Sequence, residues 1–188
     1  MPLDLLRIAP GDPTVWGWLA VAAYAAAALG CALAARASAG ARRRERLFWL
    51  VAALAMLALG LNKQLDLQRD VGRAVRAAAW EGGWYAQRRT FQLLFIQAIA
   101  LGGLAFAAAL LLVYRHAPWP HWLAILGAVG LVAYVVVRAA SFHYVDVLLI
   151  QHVGTLRLST ALELVGTLFV AIGAFAATRR AAARVPLR

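Results

Sequence analysis

Apolar segments of membrane length dominate this chain and leave few folds open to it. They cover residues 15–37, 47–64, 93–114, 119–140 and 160–178 of 188. A helix needs about 20 predominantly apolar residues to cross the hydrocarbon core of a bilayer. Of all residues 64% are hydrophobic, against roughly 45–50% in a soluble domain. The sequence therefore predicts an all-α integral membrane helical bundle, with about five transmembrane helices in one domain over residues 1–188.

Basic residues predict which side of the membrane each loop faces. Arg42, Arg43 and Arg44 follow the first span, Arg179 and Arg180 follow the fifth, and residues 115–116 between spans three and four are also basic. Cytoplasmic loops carry an excess of Lys and Arg, so we expect these three regions in the cytoplasm, with the N-terminus outside and the C-terminus inside. The net charge of +11 then predicts contact with anionic membrane lipids and not with nucleic acid.

The first of two polar stretches follows the second span as a predicted polar, amphipathic helical extension over residues 62–80. Because this span has few uninterrupted apolar residues, we expect Lys63 to direct its amine outward to the membrane surface. One interpretation of the stretch is ion pairing along the helix. The other is an outward-facing cavity, with Asp66 as an acid–base residue and Asn62, Gln64 and Gln68 as ligand contacts.

The start of the third span carries further candidate ligand contacts. Tyr85, Arg88 and Gln92 form a stripe at helical spacing, and Arg89 adjoins it. Two arginines at a helix start are unfavourable for the helix dipole. We therefore expect an anionic partner for them, which is Glu81, a lipid phosphate or an anionic substrate.

The second polar stretch follows the fourth span. His143 and Asp146 are neighbours at i, i+3 on a helix, so the aspartate can orient the imidazole or both can bind a metal ion. A histidine hydrogen-bonded at the membrane interface is the alternative. Arg138 and Ser141 are candidate ligand contacts in the same stretch. The cofactor is otherwise unknown, with a divalent metal ion as the open alternative.

Glu163 lies about one turn inside the fifth span. A lone ionised carboxylate at that depth is unfavourable, so it should be paired or protonated. Its expected partners are Arg138, Arg88 and His143. The sequence leaves open whether Glu163 forms a structural ion pair or shares a catalytic role with His143, Asp146 and Asp66.

Small residues predict where helices approach one another. Glycines at 102, 103, 127 and 130 permit close helix contact, which suits a homo-oligomer or a larger membrane complex. The single cysteine, Cys31, lies in the first span, and we expect it to be a packing residue.

The chain resembles a family of small, uncharacterised bacterial multi-pass membrane proteins. The similarity rests on residues 62–68, residues 83–85 with Arg88-Arg89, residues 138–143 with Asp146, and residues 162–166. It implies a multi-pass fold in a bacterial inner (cytoplasmic) membrane and carries no activity or site residue with it. A looser analogy is to ceramidase-like membrane hydrolases, which hold a zinc ion with serine, histidine and aspartate; this chain has fewer helices and fewer paired histidines.

These patterns favour an outward-facing polar site for a lipid-linked or anionic small ligand. The site would belong to a membrane-embedded hydrolase or transferase. A non-catalytic accessory subunit that binds a lipid or small molecule uses the same residues, and a small oligomeric transporter is a third alternative. The sequence does not decide whether the protein is an enzyme.

Overall fold

The computed structural model describes residues 14–38, 43–65, 80–82, 88–140, 152–153 and 156–183. Its helices are α1 (Val15–Ala37), α2 (Arg43–Leu65), α3 (Arg88–Tyr114), α4 (Trp119–Ala140) and α5 (Leu158–Ala182). The prediction of a helical bundle is confirmed. A short antiparallel ladder, β1 (His152–Val153) with β2 (Leu156–Arg157), precedes α5, so the described part is not strictly all-α. The ladder pairs His152 with Arg157 and Val153 with Leu156.

Three helices, α1, α2 and α5, are long and apolar enough to cross a membrane. Within α3 and α4, the described residues include the apolar segments Ala100–Tyr114 and Trp119–Val135. Each of the five predicted spans lies within a helix. Membrane association is thus supported by three helices among the described residues, and the number five stays a prediction.

Small residues fill the interior of the bundle, and large apolar ones cover its outside. Ala27, Cys31 and Ala174 are fully buried, whereas Leu54 and Leu112 are 66% and 70% exposed. Water would make such a surface prone to aggregation, but lipid suits it, because membrane helices associate through small residues that let their backbones approach. Cys31 is a buried, free packing residue as predicted.

The order of packing differs from the order along the chain. α1 packs against both α2 and α5, α5 packs against α4, and α4 packs against α3. The α4–α5 contact is tight, since a Cβ on Gly127 would lie 2.5 Å from the carbonyl oxygen of Gly166. The predicted close contact at Gly127 is confirmed. Gly102, Gly103 and Gly130 have no described atom within 4 Å of such a Cβ, so their contact with another copy of the chain stays a prediction.

Capping and charged residues lie at the start of α1 and at both ends of α2. Thr14 caps α1, its Oγ1 accepting the backbone N–H of Gly17 at 3.1 Å. Glu45 lies in the first turn of α2 and Lys63 in its last turn, and both signs suit the helix dipole. Lys63 therefore belongs to a helix that continues to Leu65, as expected for the start of the polar extension; residues 66–79 lie outside the described chain.

One end of the bundle is closed by aromatic side chains, and we refer to it as the aromatic end. Phe48 of α2 lies 4.9 Å from Tyr114 of α3 and 5.0 Å from His121 of α4, measured between ring centroids. Trp49 lies 5.1 Å from His121 and is fully buried. The start of α2, the end of α3 and the start of α4 therefore meet at this end.

Candidate functional site

A buried ion pair lies at the other end of the bundle, which we call the polar end. Lys63 Nζ of α2 donates to Glu163 Oε2 of α5 at 2.7 Å. The two side chains are only 9% and 6% exposed. The expectation that Glu163 is paired is confirmed, but its partner here is Lys63, which was not among the expected partners Arg138, Arg88 and His143. The outward direction predicted for Lys63 is wrong, because its long stem carries the amine into the bundle, where it neutralises a carboxylate that burial would otherwise make unfavourable.

The lysine reaches α5 past α1, at a point where α1 and α2 approach closely. Gly60 lies one turn before Lys63, and a Cβ placed on it would be 3.1 Å from the Cβ of Tyr24. A Cβ at position 60 would require Tyr24 to shift by a few tenths of an ångström. The glycine thus brings the end of α2 near enough to α1 for Lys63 to reach Glu163.

Further polar side chains surround the pair. Thr167 Oγ1, one turn along α5, donates to the backbone carbonyl of Glu163 at 2.7 Å. Tyr24 of α1 hydrogen-bonds with Thr167 and lies close enough to Glu163 and to Tyr134 of α4 for electrostatic interaction. Helices α1, α2, α4 and α5 therefore all contribute to one buried polar cluster, formed by Tyr24, Lys63, Tyr134, Glu163 and Thr167.

The choice of lysine at position 63 stands out against the rest of the chain. Lys63 is the only lysine among 19 basic residues, the others being arginines. Arginine stays charged in proteins, whereas a buried amine is a compact charge that can release its proton. The one position with an amine is the one that is buried against a carboxylate. That contrast is the sequence signal that distinguishes Lys63.

The predicted site residues fall into three groups. Glu163 is buried in the cluster, and Asn62 and Gln64 flank Lys63 at the end of α2, where both are half-buried. Arg88, Arg89 and Gln92 lie in the first turns of α3, and Arg138 lies near the end of α4; their side chains are outside the described part. Also outside it are Asp66, Gln68, Tyr85, Ser141, His143 and Asp146.

The helix directions place the backbones of the residues on α3 and α4, namely Arg88, Arg89, Gln92 and Arg138, toward the polar end. α3 and α4 are joined at the aromatic end, so the start of α3 and the end of α4 point away from it. α4 runs antiparallel to α5, since Gly173 faces Pro120 and Gly166 faces Leu131. The backbones at Arg88 and Arg138 therefore extend toward the end that holds Glu163. That their side chains converge on the polar cluster stays a prediction.

The described residues include no group of three or more His, Cys, Asp or Glu that could hold a metal ion. The predicted metal candidates, His143 and Asp146, lie outside those residues. The divalent-metal alternative therefore stays a prediction, and the amine and carboxylate of the ion pair are the groups for which chemistry can be argued.

The start of α5 adds positive potential to the polar end. Its N-cap residue is Arg157, its first turn contains no acid, and no side-chain hydrogen bond caps it within the described chain. Arg157 is exposed. The first backbone N–H groups of a helix point outward and favour negative charge. An exposed guanidinium and a helix start thus lie about one and a half turns from Glu163.

Comparison of the chain with family models, with curated proteins and with solved structures finds no match. No relative therefore lends an activity, a ligand or a partner to this polar cluster. What the protein does has to be argued from the geometry of the cluster itself and from the charges around it.

Proposed function

We propose that this chain is a bacterial inner-membrane protein whose polar end binds an anionic group, carried by a lipid-linked or small ligand. The observation that carries the proposal is the buried contact between Lys63, the chain's only lysine, and Glu163. Intramembrane ionisable residues are rare and generally mark ligand or ion sites. The ligand would meet the half-buried amides of Asn62 and Gln64 at the mouth of the site.

The charge around the pair favours an anion over a cation. Lys63 and Glu163 neutralise one another, so the other charged groups at the polar end determine which sign of ligand charge is favoured. Arg157 and the uncapped start of α5 are positive, and Arg88 and Arg138 approach the same end on their helices. Arginine binds phosphate and carboxylate through two parallel N–H donors, which suits a phosphorylated headgroup.

A purely structural ion pair is the competing interpretation, and the two make different predictions. Replacing a whole buried ion pair by apolar residues is often neutral or stabilising. The double variant Lys63→Met/Glu163→Leu should therefore fold, and it leaves the net charge of the protein unchanged. If the ion pair is purely structural, the double variant should bind the ligand as well as the wild type. If the pair belongs to the binding site, the double variant should bind the ligand more weakly.

Native mass spectrometry of the purified protein tests the proposal. The probes are dioctanoyl phosphatidic acid and dioctanoyl phosphatidylcholine, which share their tails and differ in headgroup charge. We expect the wild type to prefer the phosphatidic acid, and the double variant to lose about tenfold of that affinity, which corresponds to about 1.4 kcal/mol of binding energy.

Arg115→Gln is the matched control, because it removes an exposed charge next to the aromatic end. It should leave the strongest phosphatidic acid site unchanged. Equal binding by the wild type and a well-folded double variant would overturn the proposal. So would an equal loss in Arg115→Gln, since phosphatidic acid binding would then not depend specifically on the polar end.

We also propose that all five helices cross the membrane, with the N-terminus outside. The contact of Phe48 with Tyr114 and His121 supports this, because it brings the α3–α4 turn to the same end of the bundle as the start of α2. On a Cys31→Ala background, Glu81→Cys should react with a membrane-impermeant maleimide from outside, and His116→Cys should not. If only α1, α2 and α5 crossed, both cysteines would react.

Catalysis at the same site is the second candidate. An amine and a carboxylate 2.7 Å apart can exchange a proton, as general acid–base chemistry requires. A hydrolase or transferase would then recruit Asp66, His143 and Asp146. Lys63→Arg separates catalysis from binding alone, because it keeps the positive charge but removes the titratable amine. The variant should still bind phosphatidic acid but should have no turnover. A non-catalytic accessory subunit would be unaffected by Lys63→Arg, and a transporter would be identified by flux in liposomes.

A further inference from the structure

His121 has no hydrogen-bond partner for its side chain in the part of the chain that the structure describes. The residue is 4% exposed, and neither Nδ1 nor Nε2 meets a donor or acceptor. The nearby carbonyl of Pro118 accepts the backbone N–H of His121 at 3.0 Å. Buried polar side-chain atoms are nearly always hydrogen-bonded, so an orphaned imidazole needs an explanation.

The walls around the imidazole are aromatic. Phe48 and Trp49 of α2 lie 5.0 and 5.1 Å from it, and Tyr114 of α3 lies 6.3 Å away in a stacked arrangement. A neutral imidazole packs among such rings as another flat ring. The contacts join the starts of α2 and α4 to the end of α3.

A protonated imidazole fits this environment poorly. It carries two N–H donors and a full charge. The rings offer only their π faces, and the nearby Pro118 carbonyl, which favours the charged ring, already accepts the backbone N–H of His121. The charged groups that act on it oppose each other, because Glu45 of α2 attracts the cation and Arg180 of α5 repels it. α3 presents Tyr114, whose ring is uncharged at neutral pH. The missing acceptors can be supplied by water once the rings separate.

The contacts of His121 matter because α3 has few others. α3 packs mainly against α4, and the described side chains along it are largely exposed, among them Leu101, Leu104 and Phe106. The cluster at the aromatic end also ties α3 to α2, through Phe48 and Tyr114. Separation of these rings would release the end of α3 and the turn that follows it.

We propose that His121 is a pH-sensitive clasp that holds the ends of α2, α3 and α4 together while neutral and opens them when protonated. The clasp lies at the opposite end of the bundle from the Lys63–Glu163 cluster and does not depend on the ligand proposed there. In the proposed topology it senses the cytoplasmic side.

Residue-resolved carbethoxylation of the wild-type protein in detergent tests the clasp without any substitution. Diethyl pyrocarbonate reacts with accessible neutral imidazoles, and mass spectrometry reports the rate at His121 relative to His116, which is exposed and serves as the internal control. An ordinary imidazole has a pKa of about 6.5, and opening linked to one proton grows about tenfold per pH unit below it. The ratio of His121 to His116 should rise accordingly on acidification. A constant or falling ratio would overturn the proposal, since His121 would then stay buried.

Matched variants give a second measurement. His121→Phe keeps a flat ring and cannot take a proton, and His116→Phe makes the same change at an exposed position. On acidification from pH 7.5 to 5.5, either side of the ordinary imidazole pKa of about 6.5, wild type and His116→Phe should lose several degrees of melting temperature more than His121→Phe. An equal loss in all three proteins would count against the clasp. If His121→Phe fails to fold, the carbethoxylation ratio in the wild type still decides.

Discussion

The two ends of this bundle treat buried polar groups in opposite ways. At the polar end, Glu163 meets Lys63 at 2.7 Å and is supported by Thr167 on its own helix. At the aromatic end, His121 is buried as deeply, yet no described residue hydrogen-bonds its ring. A buried carboxylate that is ionised must be paired, whereas a buried imidazole can stay neutral. The polar end therefore holds an ion pair, whereas the aromatic end holds a group that can acquire a charge.

Lys63→Met should have the largest effect, because it leaves the buried carboxylate of Glu163 unpaired. Removing one partner of a buried ion pair lowers the free energy of unfolding by about 3–5 kcal/mol. Thermal unfolding in detergent, followed by circular dichroism, measures the loss. The double variant Lys63→Met/Glu163→Leu should recover most of it; a double variant as unstable as the single one would mean that the packing of the lysine stem, and not charge, matters.

Gly127→Ala tests whether the two ends depend on the α4–α5 contact between them. The new Cβ would lie 2.5 Å from the Gly166 carbonyl oxygen and 2.9 Å from the Phe169 Cβ, so the helices must separate. Overpacking of this kind lowers the free energy of unfolding by about 1–3 kcal/mol. Gly130→Ala is the control, since its Cβ meets no described atom within 4 Å. It should raise the free energy of unfolding by up to about 1 kcal/mol, because alanine favours a helix over glycine.

Thr167→Val should weaken the polar end alone. The variant keeps the branched shape and loses the hydroxyl that bonds Glu163 and Tyr24. The expected loss in the free energy of unfolding is about 1 kcal/mol. Thr178→Val is the matched control, since Thr178 makes the equivalent bond to the Ala174 carbonyl at 2.9 Å far from the ion pair. Equal losses at both threonines would show that the polar cluster adds nothing to an ordinary intrahelical bond.

His121→Phe should have the smallest effect and the opposite sign at neutral pH. It replaces an unpaired imidazole by an apolar ring, so the free energy of unfolding should rise by less than about 1 kcal/mol, the slightly larger ring offsetting part of the gain. Chemical unfolding at pH 8 measures it, with Tyr114→Phe as a neighbouring control. A clear destabilisation would mean that the imidazole has a hydrogen-bond partner after all, and the contrast between the two ends would disappear.

The helices were predictable because their causes are local. Membrane-length apolar segments rich in alanine and leucine can satisfy their backbone only as helices in lipid, and every predicted span lies within one. The order of packing was not predictable, because it depends on which small residues face one another. Gly127 and Gly130 look alike in the sequence, but only Gly127 faces Gly166.

Sequence alone could predict a paired carboxylate inside an apolar segment, but it could not identify the partner. A carboxylate inside an apolar segment must have a partner, so Glu163 could be selected from sequence alone. The partner itself, 100 residues away, depends on the approach of α1 and α2 at Gly60. The burial of His121 could not be predicted from its own helix, because it is created by Phe48 and Trp49 from a different one.

The position of α5 in the bundle has a consequence for biosynthesis. α5 is synthesised last, yet it packs between α1 and α4, so the helices made before it cannot reach their final arrangement without it. Lys63 leaves the ribosome 100 residues ahead of Glu163, which at roughly 5–20 residues per second is a delay of about 5–20 s. During that time its flexible stem can keep the amine in the headgroup region. The ion pair can therefore form only after α5 has been synthesised.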